Sequence, residues 1–456
     1  MKKDALVWFF IVLIDFILIL NVESTFDNGD SILHYLQAHQ ALKTPHYFMD
    51  MWAKPLFILL SFPLASYGWI GMKIFNSACI LFSTYGCKKI FDFYQLNGWY
   101  GVFLCFFSYS FFFVQSSGLT EPLFTVFLTW IVFFELKNKS YLSYSLLSFL
   151  PFIRSEGYII IILFLAYSLF FKKKRFLPFL IIGTFIYGIF GLFYYNDFLW
   201  MFNQNPYSGI ETKYGHGSSF HFIEQLPYVI GLPIFILFLI GIFHFVFKIK
   251  NNLYHKDHFL IYGITIGYIA AHSIFWSFGL FHSFGLTRVL IVIIPLITLI
   301  AFRGLKWLEN LVKNSFSKMI RFLVIALIII FPFTNSPMAV SWEKDIEINN
   351  QQKLLLKTKN WLINKKLDSN PMITNAYYLP FILDKIIDNK NEIIEMKLLN
   401  DSSFQVRKGS LIIWDSYFAT TDSQVSQELI ERKFKVKRLK EFKNEENYKV
   451  VVYQII

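Results

Sequence analysis

The sequence predicts a polytopic α-helical membrane protein of about 11 transmembrane helices, followed by a small C-terminal α/β soluble domain. Of its 456 residues, 55% are hydrophobic and only 16% are charged, whereas about a quarter of a soluble globular chain is charged. Long apolar runs recur from the N-terminus to residue 335, and the residues after 338 have an ordinary, charged composition. Most of the chain is therefore expected to be solvated by lipid.

The individual spans follow from length, because crossing the hydrocarbon takes about 20 apolar residues in a helix. Pro55 and Pro63 indicate that the longest run is a broken pair of helices, and the run 140–152 is short enough for a half-length or re-entrant helix. Lys2 and Lys3 precede the first run without a small-residue cleavage site after it, so this helix is expected to remain in the protein. The predicted spans are 6–22, 56–86, 99–115, 119–136, 140–152, 156–171, 176–195, 228–248, 258–278, 287–303 and 319–335.

The distribution of basic residues predicts the orientation. Lys and Arg concentrate in alternate loops, most densely at residues 172–175, and such loops stay on the cytoplasmic side. The N-terminus is therefore expected in the cytoplasm and the C-terminal domain outside, across the cell (inner) membrane. The formal net charge of +12 then reflects topology and does not indicate a nucleic acid partner.

The last part of the chain alternates predicted helices and strands, which is typical of an α/β domain. Asp415 ends a predicted strand, where it is either a site residue or, as we favour, a surface turn residue. We therefore predict a transmembrane domain over residues 1–337, including a first outer loop 23–54, and an extracytoplasmic domain over 338–456. Within the latter we expect helices at 349–366, 378–388 and 424–433, and strands at 371–375, 410–414 and 447–455.

The first outer loop contains the most unusual polar segment, Phe26-Asp27-Asn28-Gly29-Asp30-Ser31. Two carboxylates at a membrane surface can supply a general base, because partial desolvation raises a carboxyl pKa, or they can bind a divalent cation. Alternatively, Asp27 belongs to a turn and Asp30 is the N-cap of the following helix. That helix, which carries His34 and Tyr35, has the amphipathic pattern of a helix lying along a membrane surface.

The other outer loops carry the remaining polar candidates. Glu121 opens a span, where it can also serve capping and dipole preferences. Arg154 and Glu156 lie between two apolar runs, where charges are costly, so they are functional candidates unless they only pair with each other. Arg288 can bind a lipid phosphate or extend to the headgroups. The loop 196–227 has the composition of a flexible lid, and His272 is expected to be a hydrogen-bonded core residue.

Three short motifs, in this order and on one side of the membrane, resemble the GT-C superfamily of polytopic glycosyltransferases. This superfamily includes the protein O-mannosyltransferase, aminoarabinose transferase and GPI-type mannosyltransferase families. Residues 26–31 with His34-Tyr35 are similar to their first-loop acidic motif. Gly118-Leu119-Thr120-Glu121-Pro122 resembles the segment after their third span, and Arg154-Ser155-Glu156-Gly157 resembles their Arg-x-Glu-Gly element.

The resemblance implies transfer of a hexose or pentose from a polyprenyl-phosphate donor to a glycan, lipid or protein acceptor at the outer face. The expected chemistry is a displacement at the anomeric carbon that inverts its configuration. Asp27 or Asp30 would deprotonate the acceptor, and Arg154 and Arg288 would stabilise the phosphate leaving group. No cofactor is required, although Asp27 and Asp30 could instead hold a divalent cation. The substrate-binding candidates are His34, Tyr35, Lys54, Glu121, Arg154, Glu156, His282 and Arg288.

Two alternatives belong to other functional classes. A lipid or polysaccharide transporter, or flippase, should carry paired broken helices with polar residues near mid-membrane, whereas the polar residues here concentrate at one face. A non-catalytic membrane scaffold would leave the first-loop carboxylates and Arg154 without a function. The enzyme hypothesis therefore accounts for more of the sequence.

Overall fold

The computed structural model describes residues 2–206, 214–248, 255–312, 314–341 and 345–456. Residues 207–213, within the predicted lid loop, lie outside this description. The chain forms two compact units. Unit 1 comprises Met1–Leu20 and Pro45–Ser341, and unit 2 comprises Asn21–Thr44 and Trp342–Ile456.

Unit 1 is helical, as its long apolar runs predict. Short 3-10 helices at Pro45–Met49, Leu150–Phe152, Lys174–Ile181, Thr287–Ile293 and Phe331–Phe333, and a π-helical turn at Phe259–Gly263, connect or extend the α-helices. The α-helices are Lys2–Asn21, Pro55–Ala65, Trp69–Phe93, Gly98–Phe106, Tyr109–Val114, Glu121–Leu136, Ser140–Leu147, Gly157–Phe170, Ile182–Tyr195, Trp200–Asn203, His221–Ile230, Leu232–Lys248, Lys256–His258, Ile264–Ser277, Ile294–Asn310 and Asn314–Ile330.

Five helical segments of the described chain are long and apolar enough to cross a membrane: Asp4–Asn21, Lys174–Tyr195, Lys256–Ser277, Thr287–Asn310 and Phe316–Phe333. Shorter apolar helices occur at Pro55–Ala65, Gly157–Phe170 and Leu232–Phe247. The prediction of a polytopic helical membrane protein is therefore confirmed, although several predicted spans consist of shorter pieces than the sequence suggested.

The interruptions have local causes. The predicted span 56–86 is a broken pair, as expected, but Pro63 lies inside the first helix. The chain instead breaks before Gly68, whose φ of +93° is a conformation that glycine adopts readily. The predicted span 99–115 is divided after Phe106, and Ser108 precedes the second short helix in an extended conformation. The run 140–152 contains an eight-residue helix, Ser140–Leu147, consistent with a half-length segment.

Unit 2 is built around a five-stranded mixed sheet, which confirms the C-terminal α/β prediction. Its strands are β1 (Met372–Ile373), β2 (Ile393–Ile394), β3 (Leu411–Asp415), β4 (Val436–Lys443) and β5 (Lys449–Ile455), in the order β2-β1-β3-β5-β4. β1 is parallel to β2 and β3, whereas β5 is antiparallel to β3 and β4. The α-helices are Asp30–Gln40, Asn350–Asn364, Tyr378–Leu383, Phe418–Thr421 and Gln427–Lys433, with a 3-10 helix at Met396–Asn400.

The sequence missed β2 and β4 for different reasons. β2 contains only two residues, which is too short for a periodic signal. β4 has the sequence VKRLKEFK and is one of the two edge strands. Lys and Glu are depleted in strands generally, but charges on an edge strand prevent pairing with other chains. The charges that protect this edge therefore also concealed the strand.

The structure also divides the chain differently at the first outer loop. Asn21–Thr44 forms one compact unit with the C-terminal residues, whereas the sequence assigned residues 23–54 to the membrane domain. The Asp30–Gln40 helix is buried along both faces, including Ile32 and the polar Gln37. The predicted interfacial helix, with one polar face in water and one apolar face in lipid, is therefore corrected to a buried helix of unit 2.

Candidate active site

A cluster of four charged residues in unit 1 joins three of the motifs selected from the sequence. Oε1 of Glu121 lies 2.7 Å from Nη1 of Arg154 and 3.2 Å from Nε of Arg288. Nη2 of Arg154 donates to Oε1 of Glu156 at 2.5 Å. Side chains from segments more than 30 residues apart therefore lie together, with positive and negative groups alternating. This was expected, because the segments are predicted to lie on the same side of the membrane.

Glu121 is positioned by the helix that it begins and by the preceding loop. It is fully buried and is followed by Pro122 in the first turn of Glu121–Leu136, where proline is well tolerated. The side-chain amide of Asn76, from the neighbouring helix, donates to the carbonyls of Ser117 and Leu119 at 2.7 and 3.0 Å. These two bonds hold the loop that delivers Glu121 to the cluster.

Arg154 lies in the turn between Leu150–Phe152 and Gly157–Phe170. Its Nη1 also donates to Oγ1 of Thr120 at 2.9 Å. The turn is tight, since a Cβ at Gly157 would come within 2.5 Å of the Leu150 carbonyl carbon. The Arg-Ser-Glu-Gly motif thus combines an anchored guanidinium with a glycine that the close backbone approach requires.

Lys54 lies beside the same turn. Its Nζ donates to the carbonyl of Met51 at 3.2 Å and to Oγ of Ser155 at 3.4 Å, and the side chain is buried. The residue adopts a left-handed conformation, with φ of +68°, immediately before the Pro55–Ala65 helix. Such strain in a residue other than glycine is often found at functional sites. The structure therefore brings Lys54 together with the arginine cluster.

The cationic side chains of this group are suited to bind an anion. Arg154 pairs with Glu121 and Glu156, and Arg288 pairs with Glu121. Charges interact strongly at sites with low effective dielectric constant, so phosphate oxygens placed beside the two guanidinium groups would be attracted to them. Arginine is suited to this task because its planar guanidinium can form two hydrogen bonds to one phosphate.

Two aromatic residues near this cluster were not recognised as site residues from the sequence. Tyr268 and His272, one helical turn apart, have ring centroids separated by 4.6 Å. Both interact electrostatically with Arg154 and Glu156. The Tyr268 hydroxyl and His272 Nε2 are buried without a hydrogen-bond partner among the described residues. His272 lies in the core, as predicted, but the lack of a partner for its Nε2 was not predicted. The sequence did contain a signal for this pair, namely a Tyr and a His four residues apart in an apolar helix.

Asp15 was also overlooked, although an acidic residue within an apolar run is a signal of function by default. It is buried in the first helix and accepts a hydrogen bond from Oγ of Ser77. Lys73, one turn before Ser77, donates to the Ile19 carbonyl at 3.2 Å. These contacts connect the first helix to Trp69–Phe93, so Asp15 has a clear packing role.

The first-loop carboxylates lie in unit 2, where Asp27 takes the capping role that was expected of Asp30. Oδ1 of Asp27 accepts the backbone N–H groups of Gly29 and Ser31, at 3.0 and 2.9 Å. Asp30 is the first residue of the helix, and Gly29 occupies the N-cap position. The capping function expected of Asp30 is therefore performed by Asp27, which satisfies N–H groups that the helix leaves without partners.

Tyr35 and His34 are buried in the same helix. The Tyr35 ring packs at 5.4 Å from His39 and edge-to-face at 5.5 Å from Phe381. Burial raises the pKa of Tyr35 to about 12, and the nearby Asp384 acts in the same direction. Tyr35 therefore has the environment of a neutral packing residue.

The remaining predictions received less support. His282 lies in a loop with φ of +54°, and no hydrogen bond or ion pair joins it to the arginine cluster within the described part of the chain. Over the same residues, no group of three or more His, Cys, Asp or Glu side chains is arranged to hold a metal ion. The pair Asp27 and Asp30 thus has no third ligand of these types in the described structure.

Comparison with solved structures shows that the chain has the fold of ArnT, which confirms the predicted fold. One similar structure is the crystal structure of ArnT from Cupriavidus metallidurans bound to undecaprenyl phosphate. Its TM-score is 0.66 at 10% sequence identity, over 99% of this chain and 98% of that chain. ArnT from the same organism in the apo state has a TM-score of 0.64 with the same identity and coverage. No sequence family and no curated protein matches this sequence.

Proposed function

We propose that this protein is an integral-membrane glycosyltransferase that uses a polyprenyl-phosphate sugar as donor. The sugar would be transferred at the outer face of the inner membrane to a glycan, lipid or protein acceptor. The cytoplasmic N-terminus and extracytoplasmic unit 2 implied by this location are supported by the charge bias of the loops. The observation that carries the proposal is the cluster of Glu121, Arg154, Glu156 and Arg288, which holds two guanidinium groups together around the fully buried Glu121.

The fold supports the same donor class. ArnT, which has this fold, was crystallised with undecaprenyl phosphate. A phosphate bound to a long lipid requires a cationic site that is accessible from the membrane, and unit 1 contains both apolar helices and the cluster. Lys54 would add a third cation from the segment before the Pro55–Ala65 helix.

The proposed chemistry is a single displacement at the anomeric carbon. The acceptor hydroxyl oxygen forms the new glycosidic bond while the bond between the anomeric carbon and the phosphate oxygen breaks. The carboxylate of Asp27, or of Asp30, accepts the hydroxyl proton. Polyprenyl phosphate leaves with the bonding electron pair, and the configuration inverts.

Negative charge on the phosphate increases as that bond breaks, so cations fixed around it stabilise the transition state more than the ground state. Arg154 and Arg288 would provide this stabilisation. Glu121 and Glu156 would hold the two guanidinium groups and orient the sugar. His34, Tyr35 and His282 remain proposed substrate contacts, of which Tyr35 has the least support because it packs against other rings.

The test measures lipid phosphate binding first and sugar transfer second. Purified protein in detergent is titrated with undecaprenyl phosphate, and Arg154→Lys and Arg288→Lys are compared with wild type. Each variant keeps the positive charge but loses the planar guanidinium group with its paired N–H donors. We therefore expect undecaprenyl phosphate to bind about ten-fold more weakly. Arg321→Lys is the matched control, because Arg321 pairs with Glu309 in a separate ion pair.

The same variants are then assayed for transfer with a set of undecaprenyl-phosphate hexoses and pentoses. Wild-type protein that neither binds undecaprenyl phosphate nor transfers any of these sugars would overturn the proposal. If Arg321→Lys weakened undecaprenyl phosphate binding as much as Arg154→Lys and Arg288→Lys do, the loss of binding would not be specific to the cluster.

A further inference from the structure

One amide-rich segment of the C-terminal domain is bonded to the acidic first loop. The carbonyl of Ile346 accepts the backbone N–H groups of Glu23 and Ser24, at 2.8 and 3.0 Å. Nδ2 of Asn28 donates to Oε1 of Gln351 at 2.6 Å. These residues are more than 300 positions apart in sequence and belong to one compact unit, so the loop is not held by its own sequence alone.

The start of the Asn350–Asn364 helix is organised to provide these contacts. Asn349 and Gln352 form a capping box: Oδ1 of Asn349 accepts the N–H of Gln352, and Oε1 of Gln352 accepts the N–H of Asn349. Their amide nitrogens then donate to the loop, Asn349 to Oδ1 of Asn28 at 2.8 Å and Gln352 to Oγ1 of Thr25 at 2.6 Å. Each amide therefore donates from its nitrogen to the acidic loop and accepts at its oxygen within its own helix, and Oδ1 of Asn349 also accepts from Nδ2 of Asn28 at 3.5 Å.

These contacts act on a strained segment. Phe26 has φ of +71°, a conformation that is unfavourable for an ordinary residue and persists only when its surroundings maintain it. Oγ1 of Thr25 donates to the Asp27 carbonyl at 2.6 Å. The bonds of Asp27 to the N–H groups of Gly29 and Ser31 then fix the direction of its carboxylate.

A second contact supports the loop at Gly29. A Cβ built on Gly29 would lie 3.6 Å from Cε1 of Phe418, so the ring lies close beside this part of the loop. Phe418 is held by Asp415, whose Oδ1 accepts the N–H groups of Tyr417 and Phe418 at 2.9 and 2.6 Å. Asp415 is completely buried, and the expectation that it is a surface turn residue was wrong.

We propose that the C-terminal domain fixes the conformation of the acidic first loop, and that Asn28 and Gln351 are positioning residues for the carboxylate of Asp27. This proposal rests on the proposed glycosyltransferase function. It assigns a role to the C-terminal domain, which otherwise has none in the reaction. A domain that only stabilised the fold would not need to hydrogen-bond both the nitrogen and the oxygen of the Asn28 side-chain amide.

The experiment compares Asn28→Ala and Gln351→Ala with Asn350→Ala in the full-length protein in detergent. Asn350 is the matched control because its exposed amide, adjacent to Gln351, bonds Glu446 instead of the first loop. Hydrogen–deuterium exchange is measured for the backbone of residues 24–31. Exchange about ten-fold faster is expected in the first two variants, and unchanged exchange is expected in Asn350→Ala.

Transfer kinetics distinguish positioning from general stabilisation. With an undecaprenyl-phosphate sugar that supports transfer, kcat should fall about ten-fold in Asn28→Ala and Gln351→Ala, while the donor KM stays within about two-fold. Unchanged exchange in both variants would overturn the proposal, as would faster exchange with unchanged kcat. If wild type transfers no sugar but the exchange effect is present, the proposed function fails while the holding of the loop stands. If Asn28→Ala does not fold, Gln351→Ala alone decides.

Discussion

Oε1 of Glu121 lies 2.7 Å from Nη1 of Arg154, and the Glu121 side chain is completely buried. Since Arg288 approaches the same oxygen, at 3.2 Å, one carboxylate neutralises parts of two guanidinium groups. Removing one member of a buried ion pair leaves an uncompensated charge. Glu121 therefore combines a structural role with its proposed role in orienting the site.

We expect Glu121→Gln to lower the free energy of unfolding by about 3–5 kcal/mol and to reduce sugar transfer more strongly than the stability loss explains. Thermal unfolding of the detergent-solubilised protein and initial transfer rates are the two measurements. Glu395→Gln is the control, because its pair with Lys397 is exposed and exposed pairs contribute about 0–1 kcal/mol. Equal melting temperatures for Glu121→Gln and Glu395→Gln would contradict the prediction.

The association of Glu121, Arg154 and Arg288 could be predicted from the sequence, because a charge-bias topology places all three on one side of the membrane. Their pairing could not be predicted, since it depends on two turns and on the approach of separate helices. Lys54 illustrates the difference. Its position in an outer loop was visible, whereas its contact with Ser155, 101 residues away, required the fold.

The roles of Asp27 and Asp30 were harder to separate from sequence. Both lie in a turn-forming segment before a helix, so either could cap it. In the structure Phe26, immediately before Asp27, has a positive φ, which is uncommon for a residue with a side chain. Asn28, immediately after Asp27, is hydrogen-bonded to a segment more than 300 residues later. Local propensity therefore predicted a turn but not which carboxylate caps the helix.

Asp27→Asn provides a clean test of the proposed base. Asparagine retains an oxygen that can accept the Gly29 and Ser31 N–H groups, but it cannot take up the acceptor proton. General-base catalysis typically contributes 10²–10⁴-fold, so we expect transfer to fall by at least about 100-fold with unchanged undecaprenyl phosphate binding.

The comparison variants for this test are Asp30→Asn and Asp50→Asn. Asp50 also accepts a local backbone N–H group, that of Trp52 at 2.7 Å, so its substitution controls for loss of a turn carboxylate. Asp50→Asn should transfer at nearly the wild-type rate. Full activity of Asp27→Asn together with a large loss in Asp30→Asn would transfer the role of base to Asp30, and full activity of both would remove the first loop from the chemistry.

We expect chelation of divalent cations to leave transfer within about two-fold of the untreated rate. Arg154, Arg288 and Lys54 can supply the positive charge that a metal ion would otherwise bring to a phosphate leaving group. The measurement is transfer after dialysis against EDTA, with Mg²⁺, Mn²⁺ or Zn²⁺ restored separately. Loss of activity that one of these ions restores would favour the alternative in which Asp27 and Asp30 help to bind a cation.

Asp415 is expected to make the folding stability of the C-terminal domain depend on pH. Burial raises its pKa from 3.8 to about 6, against the opposing effect of the backbone N–H groups of Phe418 and Tyr417, while Asp422 acts in the same direction as burial. The neighbouring Tyr448, whose pKa is raised well above its ordinary value by burial, stays neutral over this range. Between pH 4 and 6 the folded state therefore binds more protons at Asp415 than the unfolded state.

Because the folded state binds more protons at Asp415 than the unfolded state, folding stability decreases as the pH rises. The stability contributed by protonated Asp415 is fully present below pH 3.8 and is lost as the pH rises through about 6. The two pKa values differ by an amount worth about 3 kcal/mol. Asp415→Asn keeps an acceptor oxygen for Tyr417 and Phe418 but cannot ionise. Relative to wild type, this variant should be equally stable near pH 4 and more stable, by up to about 3 kcal/mol, above pH 6. Hydrogen exchange of the β3 amides in the full-length protein, corrected for intrinsic rates, measures this difference; a difference that does not vary between pH 4 and 7 would show that Asp415 ionises normally in the fold.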